Sequence, residues 1–153
     1  MKLLPLTTAP LAAIALLLVL SGVTTAKAEE KGKTVAKKEQ QENRVFELRK
    51  YTTHPGRLDA LHKRFRDHTC KLFEKHGMTL IGFWTPTEGP EAENTLIYLL
   101  AFPSREARDK AFAAFREDPA WKKAFADSHA DGGKIVEKVE STFLAPTDYS
   151  YIK

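Results

Sequence analysis

The sequence predicts a single α+β domain in which helices cover one face of a small sheet. Three observations carry that prediction. Strand-like and helix-like stretches follow one another as strand, helix, strand, strand, helix, strand, with a short helix inserted before the last strand. Apolar residues recur every second position in the former and every third or fourth in the latter. Two consecutive strands are also apolar on both sides, where a strand buried on one face alternates apolar with polar.

The chain has 153 residues. Lys2, an almost unbroken apolar run from Leu11 to Leu20, polar Ser21 to Thr25 and the small-x-small pattern Ala26-Lys27-Ala28 make residues 1–28 an expected secretory leader. Cleavage near Ala28 would leave Glu29 as the mature N-terminus of a periplasmic or secreted protein. The apolar run is shorter than the ~20 residues a spanning helix needs, so contact with a membrane is expected only through this leader, which in the alternative stays as an anchor. The formal charge of +4 shrinks when Lys2 and Lys27 leave: 22 basic residues then face 20 acidic ones, a charge of +2. Those charges interleave and form no basic stripe, which sets nucleic acid aside. The lone Cys70 can form no intrachain disulfide and reads as an inert, partly buried thiol.

Residues 29–43 are polar around a single large apolar residue, Val35, and are expected to be a flexible linker. That leaves 44–150 as one domain. Arg44 to Tyr51 forms the first strand, with Phe46 and Leu48 expected toward the helices and Val45, Glu47, Arg49 and Tyr51 on the opposite face. After the breaker Pro55-Gly56, Leu58, Leu61, Phe65, Thr69 and Leu72 mark one apolar helical face, on which His68 also falls. Gly77 caps that helix in the left-handed conformation.

The second strand runs from Met78 to Trp84. Met78, Leu80 and Trp84 are expected on one side and Ile81 and Phe83 on the other. The third, Thr95 to Phe102, is again apolar on both faces, and this pair is expected at the centre of the sheet. Ser104 caps the second long helix, carrying Phe112 and Phe115. Asp118-Pro119 starts a short helix with Trp121 and Phe125. Gly132-Gly133 breaks it, and a last strand follows from about Lys134 to Leu144, with Ile135, Val139 and Phe143 on one face. This order is the ferredoxin-like split βαβ arrangement. A monomer would leave the second sheet face as a large apolar patch, so a homodimer packed sheet against sheet is expected.

The residues Glu47-Leu48-Arg49 with Tyr51, Pro55-Gly56, His76-Gly77-Met78, Gly82-Phe83-Trp84, Ser104 with Arg108, Asp118-Pro119 with Trp121, and Leu144 with Pro146-Thr147 and Ser150 lie in an order that resembles the NIPSNAP family. The resemblance spans the folded part. It implies a ferredoxin-like domain dimerising into an α+β barrel, and it brings no reaction, because the family has no settled catalytic residues. Along the third strand the family usually has His, Trp and Tyr; this chain has Tyr98, Leu100 and Phe102, which leaves one hydroxyl.

Glu47 and Arg49, two apart on a strand, share a face. They are expected either to orient a small polar group, with Tyr51, Trp84 or Tyr98 lining the wall, or to form a structural ion pair at the dimer interface, the preferred reading. His76 closes its helix, where it either stabilises the helix end or stands as an acid–base group at a pocket mouth. His62, His68 and His76 share a helix without any pair three or four apart, so no metal site is expected; His68 reads as a hydrogen-bonded, partly buried histidine. No nucleophile motif or phosphate loop is present, and no cofactor is evident, although haem is not excluded. The leading expectation is an exported homodimer that binds a small, partly apolar molecule. The rivals are an oxygenase- or isomerase-type enzyme of the dimeric α+β barrel kind, cofactor-free or haem-dependent, with His76 or Tyr98 handling protons and Arg49 as a clamp, and a protein-interaction module.

Overall fold

The computed structural model describes residues 29–34 and 44–153. Residues 29–34 form a short exposed helix, in which Thr34 Oγ1 donates to the Glu30 carbonyl at 2.8 Å. The expected leader and the rest of the expected linker, 35–43, lie outside the described residues.

The domain runs β1 (Val45–Thr53), α1, β2 (Thr79–Trp84), a 3-10 turn (Pro90–Glu93), β3 (Thr95–Phe102), α2 (Arg105–Glu117), α3 (Pro119–Asp127) and β4 (Val136–Leu144). Helix α1 consists of Leu58–Arg64 and Cys70–Lys75 joined by a π-helical turn, Phe65–Thr69. The strands lie in the order β2-β3-β1-β4, each antiparallel to its neighbour. This is the ferredoxin-like arrangement, with the helices on one face of the sheet. The central strands are therefore β1 and β3. Strand β2, expected at the centre, is an edge strand.

Local signals in the sequence act as their chemistry dictates. Gly77 takes φ +77°, the conformation that closes α1. Ser104 Oγ accepts from Ala107 N at 3.1 Å, and Asp118 accepts from Ala120 N at 2.8 Å ahead of Pro119.

The face assignment of β1 is the reverse of the expectation. Directly opposed residues of antiparallel strands share a face. Glu47, Arg49 and Tyr51 oppose Leu100, Tyr98 and Leu96, all buried under the helices. Phe46 and Leu48 oppose Ala101 and Leu99 on the open face. The helices can accept the polar set because Arg108 of α2 neutralises Glu47, and the open face can accept Phe46 because the chain's own tail covers it. Pro146, Tyr149, Tyr151 and Ile152 border a groove there with Phe46, Leu99 and Leu144. Phe46 is buried as a result.

Strand β2 also departs from simple alternation. Its register against β3 shifts between Leu80 and Gly82, leaving Ile81 as the extra residue of a bulge. Leu80 opposite Leu100 and Phe83 opposite Tyr98 thus both turn to the helices, although they are three apart. Trp84, opposite Ile97, lies on the open face and is 53% exposed, with its ring lying over Gly82, where a methyl group would collide with it.

Between sheet and helices lies an aromatic core. Phe83 stacks on Tyr98 with centroids 5.5 Å apart, and Phe65, Phe73 and Tyr51 meet Tyr98 at 5.3–6.1 Å. The π turn sets what α1 offers this core. An extra residue in the turn rotates the following helix, so Arg64, as well as Phe65 and Thr69, is buried while His68 is exposed. The expected partial burial of His68 is corrected accordingly.

Candidate functional site

A cavity of about 580 Å³ lies between the sheet and all three helices. Strand β1 contributes Arg49 and Tyr51, and β4 contributes Val136 and Val139. Helix α1 contributes Arg64, Phe65, Thr69 and Phe73, the first three from the π turn and its edge. Helix α2 adds Phe112, Phe115 and Arg116; α3 adds Trp121, Lys122 and Phe125. Phe125 and Val139 are each nearly half exposed and, with Arg116 and Lys122, mark the mouth. Half of the wall residues are therefore aromatic, with cations as its charged groups.

Behind Arg49 sits a buried ionic cluster. The Glu47 carboxylate is completely buried. Its Oε1 accepts from Arg49 Nη1, Arg108 Nη2 and Ser141 Oγ, each at 2.6 Å, and its Oε2 from Arg108 Nε at 2.7 Å. Burial pushes this carboxyl up, but the hydrogen bonds from Arg108 and Ser141 and the charge of Arg49 outweigh it and hold the group below its ordinary value. Arg49 also donates from Nε to the Tyr98 hydroxyl at 2.9 Å and from Nη2 to the Tyr51 hydroxyl at 3.2 Å, and it lies 4.9 Å from the centre of the Phe112 ring. The backbone does not pre-form this arrangement. It depends on β1, α2 and β4 meeting, since Ser141 stands opposite Arg49 on β4.

The expected site residues separate into three groups. Arg49 and Tyr51 line the cavity. Glu47 and Tyr98 stand behind them, fully buried, and hold Arg49 in place. Burial and the neighbouring Tyr51 keep the Tyr98 hydroxyl protonated, well above its ordinary value. His76 and Trp84 lie elsewhere. His76 Nε2 bonds Asp118 Oδ2 at 2.8 Å, beside Lys75 Nζ at 2.7 Å on the same oxygen, tying the end of α1 to the start of α3. Bonds from Lys75, His76 and the Ala120 N–H hold the Asp118 carboxyl far below the usual carboxylate range. Trp84 is on the opposite face of the sheet. The expected placement of the Glu47–Arg49 pair in a barrel between subunits is thus corrected to the layer between sheet and helices. The cause is the Arg108 partner on α2.

Sequence reasoning gave no site role to Arg64 and Ser141, to Arg108, which it quoted only in the family motif, or to Thr69, which it placed on the apolar face of α1. Arg108 carried a signal, its position four residues after the Ser104 cap on the inner side of α2. Arg64 turns inward at the start of the π turn, which has no signature in the amino-acid pattern, whereas Thr69 lies inward as its spacing predicts. Cys70, next along, is partly buried, and burial followed by the nearby Glu74 raises its thiol above the ordinary value, which keeps it a poor nucleophile.

A four-stranded ferredoxin-like sheet with one aromatic, cation-lined cavity under its helices defines the class: an α+β domain built around a small-molecule-sized space. The family model for NIPSNAP matches residues 46–151, and the chain belongs to that family. Among solved structures, it is similar to a NIPSNAP family protein with unknown function from Agrobacterium tumefaciens (23% identical, TM-score 0.63, covering 73% of this chain and 96% of that one). It is also similar to a second NIPSNAP family protein from the same organism (23%, 0.60, 71% and 90%) and to an uncharacterized NIPSNAP-like domain protein from Burkholderia xenovorans (18%, 0.61, 71% and 90%). At these identities the likeness concerns the fold. None of the curated proteins matches the chain.

Proposed function

We propose that this NIPSNAP protein is an exported binder of a small, largely apolar molecule, held in the cavity between sheet and helices. One observation carries the reading: a space of about 580 Å³ with seven aromatic residues in its wall and an open mouth. That volume falls within the ~300–1,000 Å³ typical of ligand pockets. Binding is favoured over proton-transfer chemistry because a general acid or base must reach the ligand, and neither His76 nor Tyr98 lines this space. The wall also fits haem poorly. Among the usual axial ligands it offers only the Tyr51 hydroxyl, which already accepts from Arg49.

The test is a titration of the full-length protein with the neutral probe 1-naphthamide, followed by tryptophan fluorescence. Trp121 lies in the wall and should respond, with saturation at one probe per chain. Val139→Trp, which fills the mouth from the exposed edge of β4, should abolish the response without lowering the melting temperature. Undiminished binding in that variant would place the probe elsewhere and defeat the reading.

The proposed assembly is a homodimer through the open sheet face, supported by the exposure of Trp84 and the incomplete burial of Ile97 and Leu99 beside it. The tail already covers the neighbouring part of that face, so the interface would centre on β2 and β3. A monomeric mass by light scattering at micromolar concentration would overturn it.

A further inference from the structure

Arg64 is anomalous. It is 4% exposed and sits at the start of the π turn, where Thr69 Oγ1 donates to its carbonyl at 3.2 Å. Its guanidinium lies 5.4 Å from the centres of the Trp121 and Phe125 rings and gives one hydrogen bond, from Nη1 to Ser128 Oγ at 3.2 Å. Its Nε–H has no partner, and among the described residues it forms no ion pair. A buried charge is costly unless it is paired and hydrogen-bonded.

The surroundings do not supply the missing charge. No Asp or Glu lines the main cavity. On its far side Arg64 borders a smaller space of about 200 Å³ that includes Asp67, Asp127 and Asp131. Each of these has its own cation: Lys63, Lys123 and Arg57 respectively. The other cavity cations add to the imbalance. Arg116 stands at the mouth, and Glu47 is shared between Arg49 and Arg108, the latter also paired with Asp109.

Resting on the reading that this cavity holds a small apolar molecule, we propose that the molecule is a monoanion of the aromatic carboxylate class, its carboxylate seated against Arg64 and its ring against the aromatic wall. A carboxylate there would take the free Nε–H in a charge-assisted hydrogen bond and supply the counter-charge that the protein withholds. Trp121 and Phe125 already stack near the guanidinium, so a flat ring beside them continues the same surface. Burial draws the Arg64 guanidinium below its ordinary value, whereas the hydrogen bond to Glu47 raises that of Arg108; one cation is matched and the other is not.

The test compares 1-naphthoate with its neutral isostere 1-naphthamide on the full-length protein at pH 7. Naphthoate should bind about ten-fold more tightly, the worth of one charged hydrogen bond. Arg64→Met should remove that preference, weakening naphthoate about ten-fold more than naphthamide, and Arg64→Lys should keep part of it. In the unmutated protein the Arg64 Nε–H resonance should shift further with naphthoate than with the amide, a readout that does not depend on a variant folding. Equal affinity for the two probes, a preference that survives Arg64→Met, or a resonance that naphthoate shifts no further than the amide does overturns the anion assignment and leaves the cavity reading standing. Binding of neither probe overturns both.

Discussion

Two buried charges beside one cavity are treated in opposite ways. Glu47 accepts four hydrogen bonds and touches two guanidinium groups. Arg64, equally hidden, makes one hydrogen bond and no ion pair among the described residues. Both burials carry a desolvation cost. At Glu47 the protein itself offsets the cost, using side chains from three elements. At Arg64 it does not, and the charge is left without an ion-pair partner among the described residues, at the edge of two cavities. A satisfied buried charge belongs to the architecture; an unsatisfied one beside a cavity points to a missing component.

The largest expected effect breaks the satisfied end. Glu47→Ala leaves Arg49 and Arg108 without their carboxylate and should cost about 3–5 kcal/mol, as removal of one partner from a buried pair does. Urea unfolding measures it. A loss below about 1 kcal/mol, the range of exposed ion pairs, would mean that the cluster is wet and not architectural.

Acid should expose the same asymmetry. The folded-state value of Glu47 is depressed from its ordinary 4.5. Its contribution is therefore fully present above about 4.5 and disappears as pH falls through the lower folded value. Asp118, depressed from 3.8, adds a second loss below that pH. Melting temperature should start to drop just below pH 4.5 in the natural protein. In Glu47→Ala the drop between pH 4.5 and 3.8 should be shallower, on a lower baseline, carried there by the exposed Glu106, Glu117 and Glu140, which are also depressed from 4.5. Identical slopes over that range in the two proteins would remove Glu47 from the acid response.

How far these ends could be read from sequence differs for a physical reason. The element order and the caps at Gly77, Ser104 and Asp118 were legible because they rest on short-range chemistry. Both central features of the site rest on long-range chemistry. Phe46 and Leu48 against Glu47 and Arg49 gives no inward face until Arg108 and the tail are placed. By the hydrophobic pattern alone the apolar pair turns in; by the ion cluster it turns out. Period 2 likewise fails at Ile81, where the bulge brings Leu80 and Phe83 to one side, and period 3.6 fails at Phe65–Thr69, where the π turn leaves His68 exposed and Arg64 buried. Both irregularities border the cavity or its core. Places where the regular pattern breaks are where functional geometry is commonly built.

At the unsatisfied end the sign should reverse. Arg64→Met keeps the length and apolar stem of the side chain and removes an unpaired buried charge. It should raise stability by about 1 kcal/mol, the lower end of the cost of a buried unsatisfied donor. The hydrogen bond to Ser128 is lost, but Ser128 Oγ also donates to the Phe125 carbonyl at 2.9 Å and keeps that partner. Differential scanning calorimetry of the ligand-free protein checks it. A loss of several kcal/mol would show that Arg64 is matched by something in the folded protein, and the contrast with Glu47 would vanish.

The smallest expected effect concerns what aims Arg64. Thr69 Oγ1 bonds the Arg64 carbonyl across five residues and so closes the π turn with a side chain. Thr69→Val preserves the branched shape and deletes the hydroxyl. A neutral hydrogen bond contributes about 0.5–1.5 kcal/mol, and the carbonyl left behind is in a helix where backbone donors lie close, so the lower figure is expected. The more telling readout is the preference for naphthoate over naphthamide. If the turn only positions Arg64, the preference should shrink a few-fold with the naphthamide affinity unchanged. If Thr69, which also lines the cavity, touches the ligand itself, both probes should weaken together. An unchanged preference with unchanged stability would show that the backbone holds the π turn unaided, and that Arg64 is kept inward by its packing against Trp121 and Phe125.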